Sequence, residues 1–199
     1  MKLSIKKKLL NHYNNLLQEY GYNEKGLGWR KNGLDKRYEQ FIKHLNFENK
    51  NVLDYGCGLA HFYLFLKKKK IKFKKYYGYE INENINNFLK KKYSKNKNFK
   101  LIKNIKNVKK VDIIISNGVH NYKIEKIKDI FFKDLDIFIK NAKYAVGISF
   151  LNDNVDFKES YLSYKKLSKI IRFLKQKNKL FILDQTYKKY ETFLIIFNK

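Results

Sequence analysis

The 199-residue chain predicts an α/β protein of three layers: a seven-stranded, mostly parallel sheet between helices, with an antiparallel last strand. Three observations predict it. Short apolar runs alternate along the chain with stripes of helical period, the pattern of parallel strands joined by right-handed crossovers. Residues 52–62 pass from an apolar strand through Gly56 and Gly58 directly into a helical pattern. The last two apolar runs are joined only by residues 185–190, too few for a crossover helix, so they pair antiparallel.

Taken in order, Ile5, Leu9, Tyr13, Leu16 and Leu17 give a first helix its apolar face, and Leu34, Tyr38, Phe41, Ile42 and Leu45 a second. Strands are predicted at 51–55, 76–80, 99–103, 111–116, 142–150, 180–184 and 191–198. Helical patterns fall at 61–69, 83–93 and 124–139, and a later helix carries Leu167, Ile170, Ile171 and Leu174 on one face. No linker rich in Gly, Pro or Ser divides the chain. It reads as one domain, with residues 1–48 a helical cap and 49–199 the core.

The formal charge is +27, almost all of it lysine, since arginine occurs only at Arg30, Arg37 and Arg172. The lysines are spread along the whole chain. Compositional drift of an AT-rich genome and a polyanionic partner both account for that. Cys57 is the only cysteine, which excludes an intramolecular disulfide and a cysteine-cluster metal site. No apolar run reaches the ~20 residues of a membrane span. The first residues do not read as a secretion signal, so a cytoplasmic location is expected.

The chemistry concentrates around the glycine turn. Gly56, Cys57 and Gly58 form a tight bend whose bare backbone admits a ligand, ahead of a helix N-terminus. The spacing is neither the dinucleotide fingerprint nor a P-loop. Glu80 ends the second strand 22 positions after Gly58, followed by Ile81. A carboxylate there suits the two hydroxyls of a ribose. Asp54, inside an apolar strand, needs an answering donor: amides of the turn or a ligand ammonium. A structural aspartate that only fixes the loop is the alternative. The fourth strand ends in Ser116, Asn117 and Gly118, small polar residues at the crevice where open α/β sheets bind ligands. His120 follows, either a general base or polar surface.

These motifs resemble the first motif and associated acid of class I S-adenosylmethionine-dependent methyltransferases. Gly26-Leu27-Gly28-Trp29, Arg37-Tyr38 and the stretch from Ser116 to Tyr122 resemble a small bacterial single-domain group within that class. The resemblance implies a Rossmann-like methyltransferase fold and S-adenosyl-L-methionine as cofactor. It implies that Glu80 holds the ribose, that Asn104 and Ile105 meet the adenine, and that Trp29 folds over the cofactor. Arg37 would then reach the methionine carboxylate; a core tryptophan and a surface arginine are the alternative. Ala60-His61 stands where the group has Gly-Asp, so a slightly recast turn is expected. The implied reaction is methyl transfer to a small molecule, such as a sugar or surface-polysaccharide precursor, at a hydroxyl or amine. His120 would act as base, with Asn121 and Tyr122 orienting the acceptor. An RNA methyltransferase and a catalytically inactive cofactor binder stay open beside it.

Overall fold

The computed structural model describes residues 3–29, 33–105, 111–123 and 130–198. The N-terminal part holds α1 (Leu3–Tyr20), a 3-10 turn (Lys25–Leu27) and α2 (Leu34–His44). Then come β1 (Asn51–Tyr55), α3 (His61–Lys68), β2 (Lys75–Tyr79), α4 (Glu83–Lys92) and β3 (Phe99–Ile102). The second half runs β4 (Val111–Asn117), α5 (Ile130–Asn141), β5 (Ala142–Asn152), β6 (Tyr164–Lys165), α6 (Leu167–Gln176), β7 (Leu180–Lys188) and β8 (Glu191–Phe197).

The strands lie in the order β3-β2-β1-β4-β5-β8-β7. All neighbours from β3 to β5 are parallel, and β8 runs antiparallel between β5 and β7. The last strand is thus the antiparallel one, as its short connection requires. Strands buried on both faces read as continuous apolar runs, and these do. Val52, Ile113, Ile115, Phe193 and Ile195 pack toward α2, α3 and α4. Leu53, Ile114, Val146, Leu194 and Ile196 pack toward α5 and α6. Alternate residues along each strand serve opposite layers.

Gly147 shows how closely α2 sits on the sheet. A β-carbon there would come within 2.8–3.1 Å of Ile115, Phe41 and Leu45. Asp184 of β7 ties the end of α2 to the sheet, accepting from Lys43 Nζ at 2.8 Å and meeting His44 Nε2 at 2.6 Å.

The strand order reverses between β1 and β4. That switch point opens a crevice at their carboxyl ends, where Gly56 and Gly118 both turn the chain at positive φ. The structure departs from the sequence reading in several places. β2 stops at Tyr79, because Glu80 bends the chain by accepting from the amides of Ile81 and Asn82. β7 continues to Lys188, beyond the expected 184, with a register irregularity between Asp184 and Lys188. The two-residue β6, pairing with the end of β5, was not predicted: such a short segment has no periodicity to read. α5 starts at Ile130 among the described residues; positions 124–129 of the expected helix lie outside them.

Candidate active site

The crevice is a cavity of about 640 Å³. One wall is the loop after β1. Gly56 has φ +76° and Gly58 φ +50°, torsions that L side chains rarely adopt. Their missing β-carbons leave room that protein atoms use. A β-carbon on Gly56 would meet Val119 Cγ2 at 2.3 Å, and one on Gly58 would meet Leu27 Cδ1 at 2.7 Å. The glycines therefore let Val119 and Leu27 close the cavity walls. Ala60 takes the left-handed conformation at φ +61°, ψ 37° just ahead of α3. An alanine in that conformation bears a local cost of about 1–2 kcal/mol.

Glu80 sits against that loop. Its Oε2 accepts from the Gly58 amide at 3.1 Å, and its Oε1 accepts from the amides of Ile81 at 2.7 Å and Asn82 at 2.9 Å. Burial pushes its carboxyl above the usual range, and the three amides work in the opposite direction. A carboxylate has about four acceptor positions, so capacity remains for a ligand in the cavity that Glu80 lines. Asn82 caps α4 by accepting from the amides of Asn84 and Ile85. It also donates to Asn14 of α1 at 2.9 Å. Leu9, Leu10 and Tyr13 of α1 line the cavity too.

Asp54 is answered from a neighbouring strand. The Tyr76 hydroxyl of β2 donates to its Oδ2 at 2.5 Å. Burial raises the carboxyl to about 7, Tyr76 partly opposing and Glu80 adding to the rise. In the unfolded chain the group titrates near 4. Between those values the folded chain holds a proton that the unfolded chain has released, so stability falls as pH rises from about 4 to about 7. Asp54→Asn removes this group from the balance. The difference in urea stability between wild type and Asp54→Asn should change by about 3 kcal/mol across that interval, in the direction of wild type weakening at the upper end. Equal pH dependence in the two proteins would contradict the assignment.

The opposite strand, β4, delivers the rest. Ser149 of β5 donates to Asn117 Oδ1 at 2.7 Å and accepts from the Gly118 amide at 3.0 Å. This fixes the Asn117 side chain at the cavity wall. Gly118, at φ +68°, lies under Trp29, whose ring would stand 2.5 Å from a β-carbon there. His120 is buried and edge-on to Phe131, with ring centroids 5.2 Å apart. Its Nε2 lies 3.0 Å from Asp134 Oδ2 of α5, and the Tyr55 hydroxyl lies 3.5 Å from the same oxygen. His120 Nδ1 has no partner among the described residues. Lys165 of β6 also lines the cavity, with Nζ 2.6 Å from Ser163 Oγ.

The family described as methyltransferase domain matches residues 28–130, just over half of the chain. The chain belongs to that methyltransferase family. The family's methyl donor is S-adenosylmethionine. No curated protein matches the sequence. Solved structures match the fold at low identity. Magnesium protoporphyrin IX methyltransferase from Synechocystis with bound S-adenosylmethionine has a TM-score of 0.69 at 14% identity, over 100% of this chain and 99% of that one. A SAM-dependent methyltransferase from Aquifex aeolicus has a TM-score of 0.60 at 18% identity, over 84% and 93%. Phosphoethanolamine N-methyltransferase 1 from Haemonchus contortus has a TM-score of 0.65 at 10% identity, over 99% and 50%. No helix among the described residues is long and apolar enough to cross a membrane.

In this methyltransferase the structure brings Trp29, Gly56, Gly58, Glu80, Ile81, Asn117, Gly118, His120 and Tyr122 to one cavity. Asp54 and Cys57 border a smaller annex of about 30 Å³ beside it, shared with Trp29 and Asn117. Other expected residues stand elsewhere. Arg37 pairs with the buried Glu191 and stacks on Trp29, its guanidinium 4.4 Å from the ring centroid, so its charge is already answered. Asn121 is a brace, accepting from the Leu151 amide at 3.1 Å. Ser116 is buried within β4, and Asn104 and Ile105 are not among the cavity-lining residues. Asp134, Ser149, Ser163 and Lys165 went unread because their roles depend on elements far apart in sequence. Only the buried-face break made by Asp134 among the apolar residues of α5 was a signal available beforehand.

Proposed function

We propose that this methyltransferase acts on a small-molecule acceptor through a hydroxyl or amine, with residues 1–48 serving as the cap over the site. The observation that carries the reading is the cavity itself. Glu80 and Gly58 line it together with the His120–Asp134 pair, and α1 contributes Leu9, Leu10 and Tyr13 to its walls. Its size falls within the roughly 300–1,000 Å³ of small-molecule sites.

The residues present suit the cofactor. The spare acceptor capacity of Glu80 takes the ribose hydroxyls, while Asp54 and Asn117 at the annex offer polar groups to the amino-acid end. When bound, S-adenosylmethionine supplies an electrophilic methyl group on a sulfonium. The chain's own residues then position and dry the acceptor, the main protein contribution to an in-line displacement. Asp134 holds the Nε2 proton of His120, which leaves Nδ1 basic. Nδ1 is buried and without a partner among the described residues, so a turn of the imidazole or of its loop brings it to a hydroxyl acceptor, whose proton it takes as the oxygen gains the methyl group.

The test is to incubate the purified protein with methyl-labelled S-adenosylmethionine and a fractionated cell extract. Label in the small-molecule fraction supports the reading. Label in RNA or protein overturns it, as does the absence of label in every fraction. RNA labelling with a steep salt dependence would give the +27 charge a functional meaning.

A further inference from the structure

Lys165 is a cation lining the cavity, without an acidic partner among the described residues. It lies on β6, where its register against Asn152 fixes its position. Its ammonium donates to Ser163 Oγ, and no carboxylate stands within ion-pair distance among the described residues. The acids that share the cavity are engaged: Asp134 faces His120, and Glu80 is held by three amides. The Phe131 ring lies 5.6 Å from Lys165 Nζ, a contact of roughly 0.5–2 kcal/mol that does not replace a counter-charge. Burial alone pushes the Lys165 amine down to about 8. A half-buried charge without a counter-charge is costly, and an apolar side chain of similar length would pack there without that cost.

The placement relative to His120 is also specific. Phe131 touches both side chains, His120 by its edge and Lys165 through the cation–π contact. The Lys165 segment is stitched to the His120 loop by the Ser163 amide donating to Asn121 at 2.8 Å, by the Tyr122–Leu162 bridge, and by the Lys123 amide donating to Tyr161 at 2.8 Å. An acceptor gripped at Lys165 is therefore held in a fixed relation to the imidazole.

We propose that the methyl acceptor carries an anionic group, a carboxylate or a phosphate, that docks on Lys165 Nζ and Ser163 Oγ while its nucleophile faces His120. This rests on the methyltransferase reading of the same cavity. The anion supplies the missing counter-charge, and the pair orients the acceptor without bond making at the lysine. Lys165 is thus a specificity residue, distinct from the proton acceptor.

The test is competitive acetylation of the full chain near neutral pH, read by mass spectrometry at Lys165 with the exposed Lys68 as reference. It is run with S-adenosylhomocysteine bound, so that the cofactor's own carboxylate is already in place, and with chloride, acetate or inorganic phosphate at equal ionic strength. An anion paired with the ammonium raises its pKa by about one unit or more, which lowers the free-amine fraction about tenfold. Lys165 is expected to acetylate about tenfold more slowly with one of the two anions than with chloride, while Lys68 is unchanged. Protection by phosphate alone identifies a phosphate-bearing acceptor, and protection by acetate a carboxylate. Protection by neither overturns the proposal. So does full protection by S-adenosylhomocysteine in chloride, which would assign the lysine to the cofactor. Calorimetry of S-adenosylhomocysteine on the same preparation tests the cofactor reading separately, because the anion arms remain readable without it.

Discussion

Glu80→Ala is expected to weaken S-adenosylhomocysteine binding by more than a hundredfold while leaving the chain folded. Two hydrogen bonds from ribose hydroxyls to a charged acceptor are worth about 1.5–3 kcal/mol each, so their loss costs about 3 kcal/mol or more. The same carboxylate holds the amides of Gly58, Ile81 and Asn82, and through Asn82 it steadies the start of α4 and the contact to Asn14 of α1. Removing it loosens three elements that border the cavity. Glu80→Gln keeps one carbonyl acceptor and the side-chain shape, so it should retain more affinity than alanine. Calorimetry with both variants, alongside circular dichroism for folding, checks this. Affinity within about threefold of wild type for the alanine variant would remove Glu80 from the cofactor site.

His120→Asn should lower kcat by about 10²–10⁴ on a hydroxyl acceptor, with S-adenosylhomocysteine affinity unchanged. Asparagine fills similar space but cannot take the proton. Asp134→Asn should fall in the same direction by less, because the imidazole stays in place and loses only the partner that fixes its Nε2 proton. The measurement is label transfer to the acceptor fraction that the wild-type enzyme methylates. A neutral amine acceptor needs no base. Wild-type kcat in His120→Asn would therefore assign the acceptor to that class and withdraw His120 from proton transfer.

The annex explains why one reading of the sequence changed. Asp54 sat in an apolar strand, and a donor had to answer it, but nothing local named Tyr76. The two meet because β1 and β2 pair in parallel with Val52 opposite Tyr76, which sets the phenol diagonal to Asp54. Arg37 changed for a related reason. Its sequence neighbours place it on the inner face of α2, yet Glu191 arrives from the start of β8 at the other end of the chain and takes its charge.

The sequence alone determined the order of strands and helices apart from the two-residue β6, the antiparallel final strand, the glycine turn and the acid that follows β2. These follow from local rules: side-chain period sets the element, a six-residue connection forbids a crossover, and a strand that bends at glycine has few other shapes. Tertiary structure decided which polar groups are already satisfied and which are left for a ligand. His120 gains Asp134 from α5, Asn117 gains Ser149 from β5, Arg37 gives its charge to Glu191, and Lys165 reaches the cavity on a strand of two residues. Each of these pairings joins residues whose separation in sequence carries no periodic signal. Only the closing of the sheet brings them within hydrogen-bonding distance.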